Sequence, residues 1–279
     1  MILNQIPARA VRLLAGVLFL SAPVLGAAGE ALAAAGEALP AAGEALAAEL
    51  AAPAADVLAA VAERYAAVTN LSCTVRRQLP GSGAEMISRV VFARGGRLSS
   101  ETLSPERRRV VVDGRFAWTK GKGDKEPRKT AFEDQSATQK ASVMCVPASP
   151  EETLSALDGA SAAELAPPDA RFARQIAFAF RDAPPQSGKR AVVSFDEKGR
   201  IRAIDVFSDE ELKWRLASFG YDAPREVLPG VWLFGRTTAE TAIDGTPVKV
   251  VSLFDGLKAN AEVDESVFDA EKAFGKAPR

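Results

Sequence analysis

From Ala191 to Phe268 apolar and charged positions alternate in short runs. The runs are Ala191–Phe195, Arg200–Phe207, Leu212–Phe219, Val231–Thr238 and Val248–Phe254. Within Glu211–Leu216, for example, Leu212, Trp214 and Leu216 share one side of a strand opposite Glu211, Lys213 and Arg215. A period of two with one apolar face predicts antiparallel strands in a half-buried sheet. Asp196-Glu197-Lys198-Gly199 and Asp244-Gly245-Thr246 carry the Asp/Gly chemistry of hairpin reversals between them. The apolar side of such a sheet needs a cover, and what fills the space beneath that cover bears on function.

The first half reads the same way after one helix. Val57, Val61, Tyr65 and Val68 form a helical stripe over Asp56–Val68. Strands are expected at Leu71–Gln78, Met86–Ala93 and Arg97–Leu103, then a hairpin of Arg108–Val112 and Arg115–Lys120 about Asp113-Gly114. That hairpin would let Val110, Val112, Phe116 and Trp118 share a face. Gly121–Pro127 is a charged loop. Ser149-Pro150-Glu151-Glu152 is a helix start, with Ser as cap and Glu three residues on, and the helix should stop by Gly159. Residues from Gln135 to Pro168 are helical or irregular, and Arg171–Arg181 returns to strand. One helical insertion in a continuous sheet suits a lid across its apolar side.

The N-terminal region is different in kind. Arg9 and Arg12 precede the apolar run Leu13–Leu20, and Gly26, Ala27 and Ala28 offer a cleavage site, so residues 1–26 read as a secretory signal peptide. Residues 27–47 repeat Ala-Ala-Gly-Glu-Ala-Leu with a period of seven. A Gly in every repeat and Pro40 argue for a low-complexity spacer, assigned to 27–53, over a coiled coil. The folded domain is then 54–279.

Of the 279 residues, 47% are hydrophobic and 25% charged, enough apolar content for a sizeable core. Net charge is −1, and loss of Arg9 and Arg12 with the leader makes it −3. This balance excludes a nucleic-acid partner, which requires a concentrated positive surface. The cluster Arg107-Arg108-Arg109 is read as a solvated strand edge. Cys73 and Cys145 are the whole supply of cysteine: in an oxidising compartment they form a disulfide, otherwise they are two buried thiols.

Catalytic chemistry is sparse. There is no histidine, which removes the commonest general base and metal ligand. The two cysteines cannot make a zinc cluster, and Gly121-Lys122-Gly123 lacks the strand–loop–helix context of a phosphate loop. Carboxylate pairs such as Asp209-Glu210 sit among charged turn residues. The reading is a protein that is not an enzyme, with no catalytic residues, metal or cofactor. The aromatic set is the remaining signal: Trp118, Trp214 and Trp232 fall in expected strands with Phe92, Phe116 and Phe234 nearby. A long sheet covered by two short helices leaves room for an apolar cavity, with Phe92, Val110, Val112, Phe116, Trp118, Trp214, Leu216, Trp232 and Phe234 as its candidate lining.

Val111-Val112-Asp113-Gly114-Arg115-Phe116-Ala117-Trp118, and the closing stretch Val251–Phe268 with Asn260, Val263, Asp264 and Phe268, resemble the outer-membrane lipoprotein-sorting (LolA-like) family over Asp56–Phe274. The resemblance implies a mainly β fold with a helical lid: an open, strongly curved antiparallel half-barrel with short helices on its concave face. It further implies a monomeric periplasmic carrier of acylated lipoproteins or lipids, taking them from an inner-membrane donor complex toward an outer-membrane acceptor. A sensor or adaptor of the same fold, binding one envelope protein, is the second reading. The family's Arg-aromatic-Arg stretch matches Arg97, a candidate release contact, while its second Arg is Ser99 here.

Overall fold

The structure is a computed structural model that describes residues 52–78, 83–166, 169–181, 188–243 and 246–275. The leader and the seven-residue repeat lie outside the described residues. Helix α1 (Ala52–Ala66) precedes six strands: β1 (Asn70–Gln78), β2 (Glu85–Ala93), β3 (Arg97–Ser104), β4 (Arg108–Asp113), β5 (Phe116–Gly121) and β6 (Arg128–Ala131). Helices α2 (Ala137–Met144) and α3 (Glu151–Leu154) lead to seven more: β7 (Leu157–Glu164), β8 (Arg174–Phe180), β9 (Arg190–Phe195), β10 (Ile201–Phe207), β11 (Arg215–Leu228), β12 (Val231–Ile243) and β13 (Thr246–Ala259). Helix α4 (Ala270–Phe274) follows.

All thirteen strands form one antiparallel sheet in the order β6-β5-β4-β3-β2-β1-β13-β12-β11-β10-β9-β8-β7. The first meander runs outward to β6 and the second runs inward from β7, so β1 and β13 pair at the centre. Strands β6 and β7 remain as edges, and the sheet is an open, curved half-barrel. The connection from one edge to the other must cross a face of the sheet. That topological demand places the segment carrying α2 and α3 over what we term the inner face.

The inner face and α1 share one core. Leu71, Phe92, Leu98 and Val112 from the first meander join Phe178, Val193, Phe219 and Phe234 from the second, and Val61 and Tyr65 of α1, with Val68 just after it, close over them. The helical stripe therefore packs as its spacing requires, with Val57 only partly buried. Arg94 fastens α1 to the crossover: its guanidinium donates to Tyr65 O at 2.6 Å and Val68 O at 3.1 Å, and pairs with Glu151 at 2.7 Å. Asn260, with a positive φ of 52°, accepts from Thr69 N at 2.8 Å and donates to Ala67 O at 2.8 Å. It ties the end of β13 to the entry of β1.

Three expectations need correction. Phe116 and Trp118 do not share a face with Val110 and Val112. The ladder pairs Val112 with Ala117 and Val111 with Trp118, so Ala117 is the residue that joins the face of Val110 and Val112 while its neighbours Phe116 and Trp118 point the other way. The turn is longer than the expected two residues, without changing that face. Asp113 Oδ1 accepts from Arg115 N and Phe116 N at 2.8 and 2.7 Å, so the connection spans four residues. Gly114 sits there at φ +91°, where a Cβ would lie 3.0 Å from Gly95 O. Phe116 and Trp118 consequently pack on the outer face with Val111, beneath Ala270, Ala273 and Phe274.

Trp214 lies outside β11 and is 46% exposed. Asp209 accepts from Lys213 N and Trp214 N at 3.0 and 2.8 Å, and Leu212 turns the chain at φ +59°, so the alternation is broken before the strand begins. Leu212 is buried on the outer face with Phe207, and Leu216 is half-buried. Finally, the region from Gln135 to Pro168, expected to be helical or irregular, contains the edge strand β7 at Leu157–Glu164 after the helix ends at Leu154.

Candidate functional site

Across β13, β1, β2, β3 and β4 the register lines up inner-face residues in rows. One row runs Leu71, Phe92, Leu98, Val112, and is filled with core side chains. The next runs Cys73, Val90, Ser100, Val110. The third runs Phe254, Val75, Ser88, Thr102, Arg108. Moving along the strands toward the β1–β2 and β3–β4 turns, large apolar residues thus give way to Ser and Thr on β2 and β3. Ser88 and Thr102 satisfy each other by a hydrogen bond of 3.0 Å. Small side chains beneath the crossover leave a hollow.

That hollow is a cavity of about 320 Å³. Its floor is Val75, Val90, Leu98, Ser100 and Phe254, and its roof is Ser142 and the stretch Cys145–Ser149. The roof is fixed in place by short bonds. Val146 N donates to Glu151 Oε2 at 2.7 Å, Ser149 Oγ donates to Val146 O at 2.7 Å, and Phe234 N donates to Ala148 O at 2.9 Å. The exposed lining residues Pro105, Glu106, Arg107 and Lys122 mark the mouth, at the end where the strand turns gather.

One wall carries charge. Arg77 is 7% exposed and donates from Nε to Ser252 Oγ at 2.9 Å. Burial pulls its pKa down to about 10, against the opposing field of Glu152. Burial also pushes the Glu152 carboxyl up to about 7, with Arg77 acting in the other direction. Glu152 Oε1 is enclosed and has no hydrogen-bond partner among the described residues. The same site therefore offers an apolar floor, an enclosed acid and a basic mouth. Among the described residues no group of three His, Cys, Asp or Glu side chains is placed to hold a metal ion.

The sequence-selected residues fall elsewhere. Phe92 and Val112 are core side chains cross-strand to the lining residue Leu98, and Val110 is cross-strand to Ser100, without lining the cavity themselves. Phe116, Trp118, Trp214 and Leu216 do not touch it. Trp232 and Phe234 border a separate void of about 20 Å³ with Val61 and Tyr65, where Arg200 lies 4.8 Å from the Trp232 ring. Arg97 is turned to the outer face, paired with Glu265 and 5.0 Å over the Phe268 ring, so it clasps the C-terminal segment. Cys73 and Cys145 are free thiols, not a disulfide. Cys73 packs with Val75, Ala148 and Phe254, and Cys145 lines the cavity roof. The lining that sequence reading missed had a signal: Leu98, Ser100 and Thr102 alternate on β3 with decreasing apolar bulk.

No family model and no curated protein matches the sequence. Solved structures do share the fold. A DUF1329 family protein from Desulfovibrio piger superposes with a TM-score of 0.54 at 9% identity, over 80% of this chain and 98% of that one. A putative outer membrane lipoprotein-sorting protein domain from Vibrio parahaemolyticus gives 0.52 at 11% identity, over 78% and 96%. At these identities the likeness is one of fold: this chain has the half-barrel architecture of the lipoprotein-sorting domain.

Proposed function

We propose that the protein is a periplasmic carrier that shelters an acyl chain of a lipid or lipoprotein in the cavity between β1–β4 and the crossover, on its way toward the outer membrane. The carrying observation is the apolar floor of Val75, Val90, Leu98 and Phe254 under a roof held by Arg94 and Glu151. Each methylene removed from water contributes about 0.8 kcal/mol. Micromolar binding, about 8 kcal/mol, therefore needs roughly ten methylenes sheltered. The reading requires no catalytic step, metal or cofactor. It also takes residues 1–26 as an export leader, 27–53 as a spacer and 54–279 as the carrier domain. An inner-membrane donor and an outer-membrane acceptor would be its partners, with the monomer as the transferring species.

The test fills the hollow. Ser100 is buried on the floor between Val90 and Val110. Ser100→Leu should lower the affinity of delipidated protein for a fluorescent acyl probe at least tenfold, with the circular dichroism spectrum unchanged. Full-strength binding by the folded variant, or no binding by the parent protein, would refute this assignment.

A further inference from the structure

We infer that the cavity is built for an amphiphile with one acyl chain and an anionic head, carboxylate or phosphate, seated between Arg107 and Lys122 at the mouth. The inference rests on the acyl-carrier reading and names the class of its ligand. Its first ground is placement. Arg107 and Lys122 each adjoin the last pair of the β4–β5 ladder, Arg108 with Gly121, and so stand at the same end of it. Both side chains are exposed, both line the cavity, and neither takes part in an ion pair among the described residues. Like charges gathered at one mouth repel each other. An anion placed between them relieves that repulsion.

The second ground is the wider field at this end. Arg108 lines the mouth as well, and Arg128 and Asp124 act on it. Asp124 is held back by the loop, accepting from Gly121 N at 2.8 Å. Among the described residues Glu106 is the one acid that lines the mouth itself. Cations therefore outnumber acids where a head group would emerge, while the floor inside is apolar. The third ground is size. About 320 Å³ stands at the lower end of small-molecule pockets, which run from about 300 to 1,000 Å³. That accommodates one chain and not two or three side by side.

The experiment measures displacement of the fluorescent acyl probe, below micelle-forming concentrations, by four ligands of equal chain length. They are palmitate, palmitoyl lysophosphatidate, neutral monopalmitoylglycerol and dipalmitoyl phosphatidate. At least one of the two anionic single-chain ligands should bind tenfold or more tightly than the neutral one. The preference should shrink severalfold in Arg107→Gln/Lys122→Gln and in high salt, since exposed charges are screened within about 10 Å at 0.1 M. Which of palmitate and lysophosphatidate binds better identifies the head. Equal binding of neutral and anionic chains, or a preference unchanged in the double variant, would overturn the head-group inference and leave the carrier reading standing. Dipalmitoyl phosphatidate binding as tightly as lysophosphatidate would overturn the single-chain limit. If no ligand displaces the probe and the probe itself does not bind, the carrier reading falls together with the inference.

Discussion

Replacing Glu152 by Gln should make the protein more stable above neutral pH, with a much smaller gain at pH 5 and none below about pH 4. The side chain is enclosed beside Arg77, one of its oxygens has no partner among the described residues, and burial raises its pKa from 4.5 to about 7. Between those two values the native state holds a proton that the unfolded chain has released, so stability falls as pH rises through the window. At about 1.4 kcal/mol per pKa unit the full loss is about 3 kcal/mol, of which about 2 kcal/mol falls between pH 5 and pH 8. The attraction of Arg77 is already contained in that net value, and Gln mimics the protonated acid. For a chain of this size the gain corresponds to about 6–12 °C in Tm above pH 8. The window is clean because the chain has no histidine, and the buried thiols and tyrosines titrate far above it. Urea unfolding followed by circular dichroism at pH 5 and pH 8 measures both arms. A variant with the same pH slope as the parent, or less stable than it at pH 8, would show that Glu152 is ionised and well solvated in the fold.

Two further outcomes follow from burial alone. Phe234→Ala should cost about 3–5 kcal/mol, because Phe234 is fully buried and packs at 5.4 Å on Tyr221. Trp214→Ala should stay within about 0.5 kcal/mol, and equal costs in urea titrations would contradict the placement of Trp214 in solvent. Burial pushes the thiols of both Cys73 and Cys145 up to about 12. Thiol reagent should therefore react slowly with native protein at pH 8, and titrate two thiols once guanidinium unfolds it without reductant. Recovery of none would mean the pair is bonded.

Much of the fold is legible in the chain because one-faced strands and one-striped helices report their own burial. The stripe Val61, Tyr65, Val68 and the strands after Ala191 needed no partner to be recognised. Short β6 was not recognisable: Arg128, Lys129 and Thr130 are exposed and carry no apolar alternation, as befits an edge strand that must resist pairing with other chains. The functional site was less legible than the core. A search for large aromatics finds places that are filled, since Phe92 and Phe234 are fully buried. A cavity is marked instead by small residues, Ser88, Ser100 and Thr102, at positions where the strand pattern calls for bulk.

The order of charged and apolar residues by itself determined an all-antiparallel sheet, a helix at its start, and a helical crossover midway. It also determined the absence of imidazole chemistry. Which face each side chain joined was decided only in three dimensions, because it depends on integers that local pattern does not carry. The pairing of Trp118 with Val111 and not with Val110 or Val112 sent it outward, and a capped loop at Asp209 left Trp214 in water. The site is a product of topology: two meanders meeting at β1 and β13 leave β6 and β7 at opposite ends of the strand order, and the chain joining them bridges the inner face. Ser100 and Arg107 acquire their meaning from that bridge, since the hollow and its charged mouth exist only where it passes overhead.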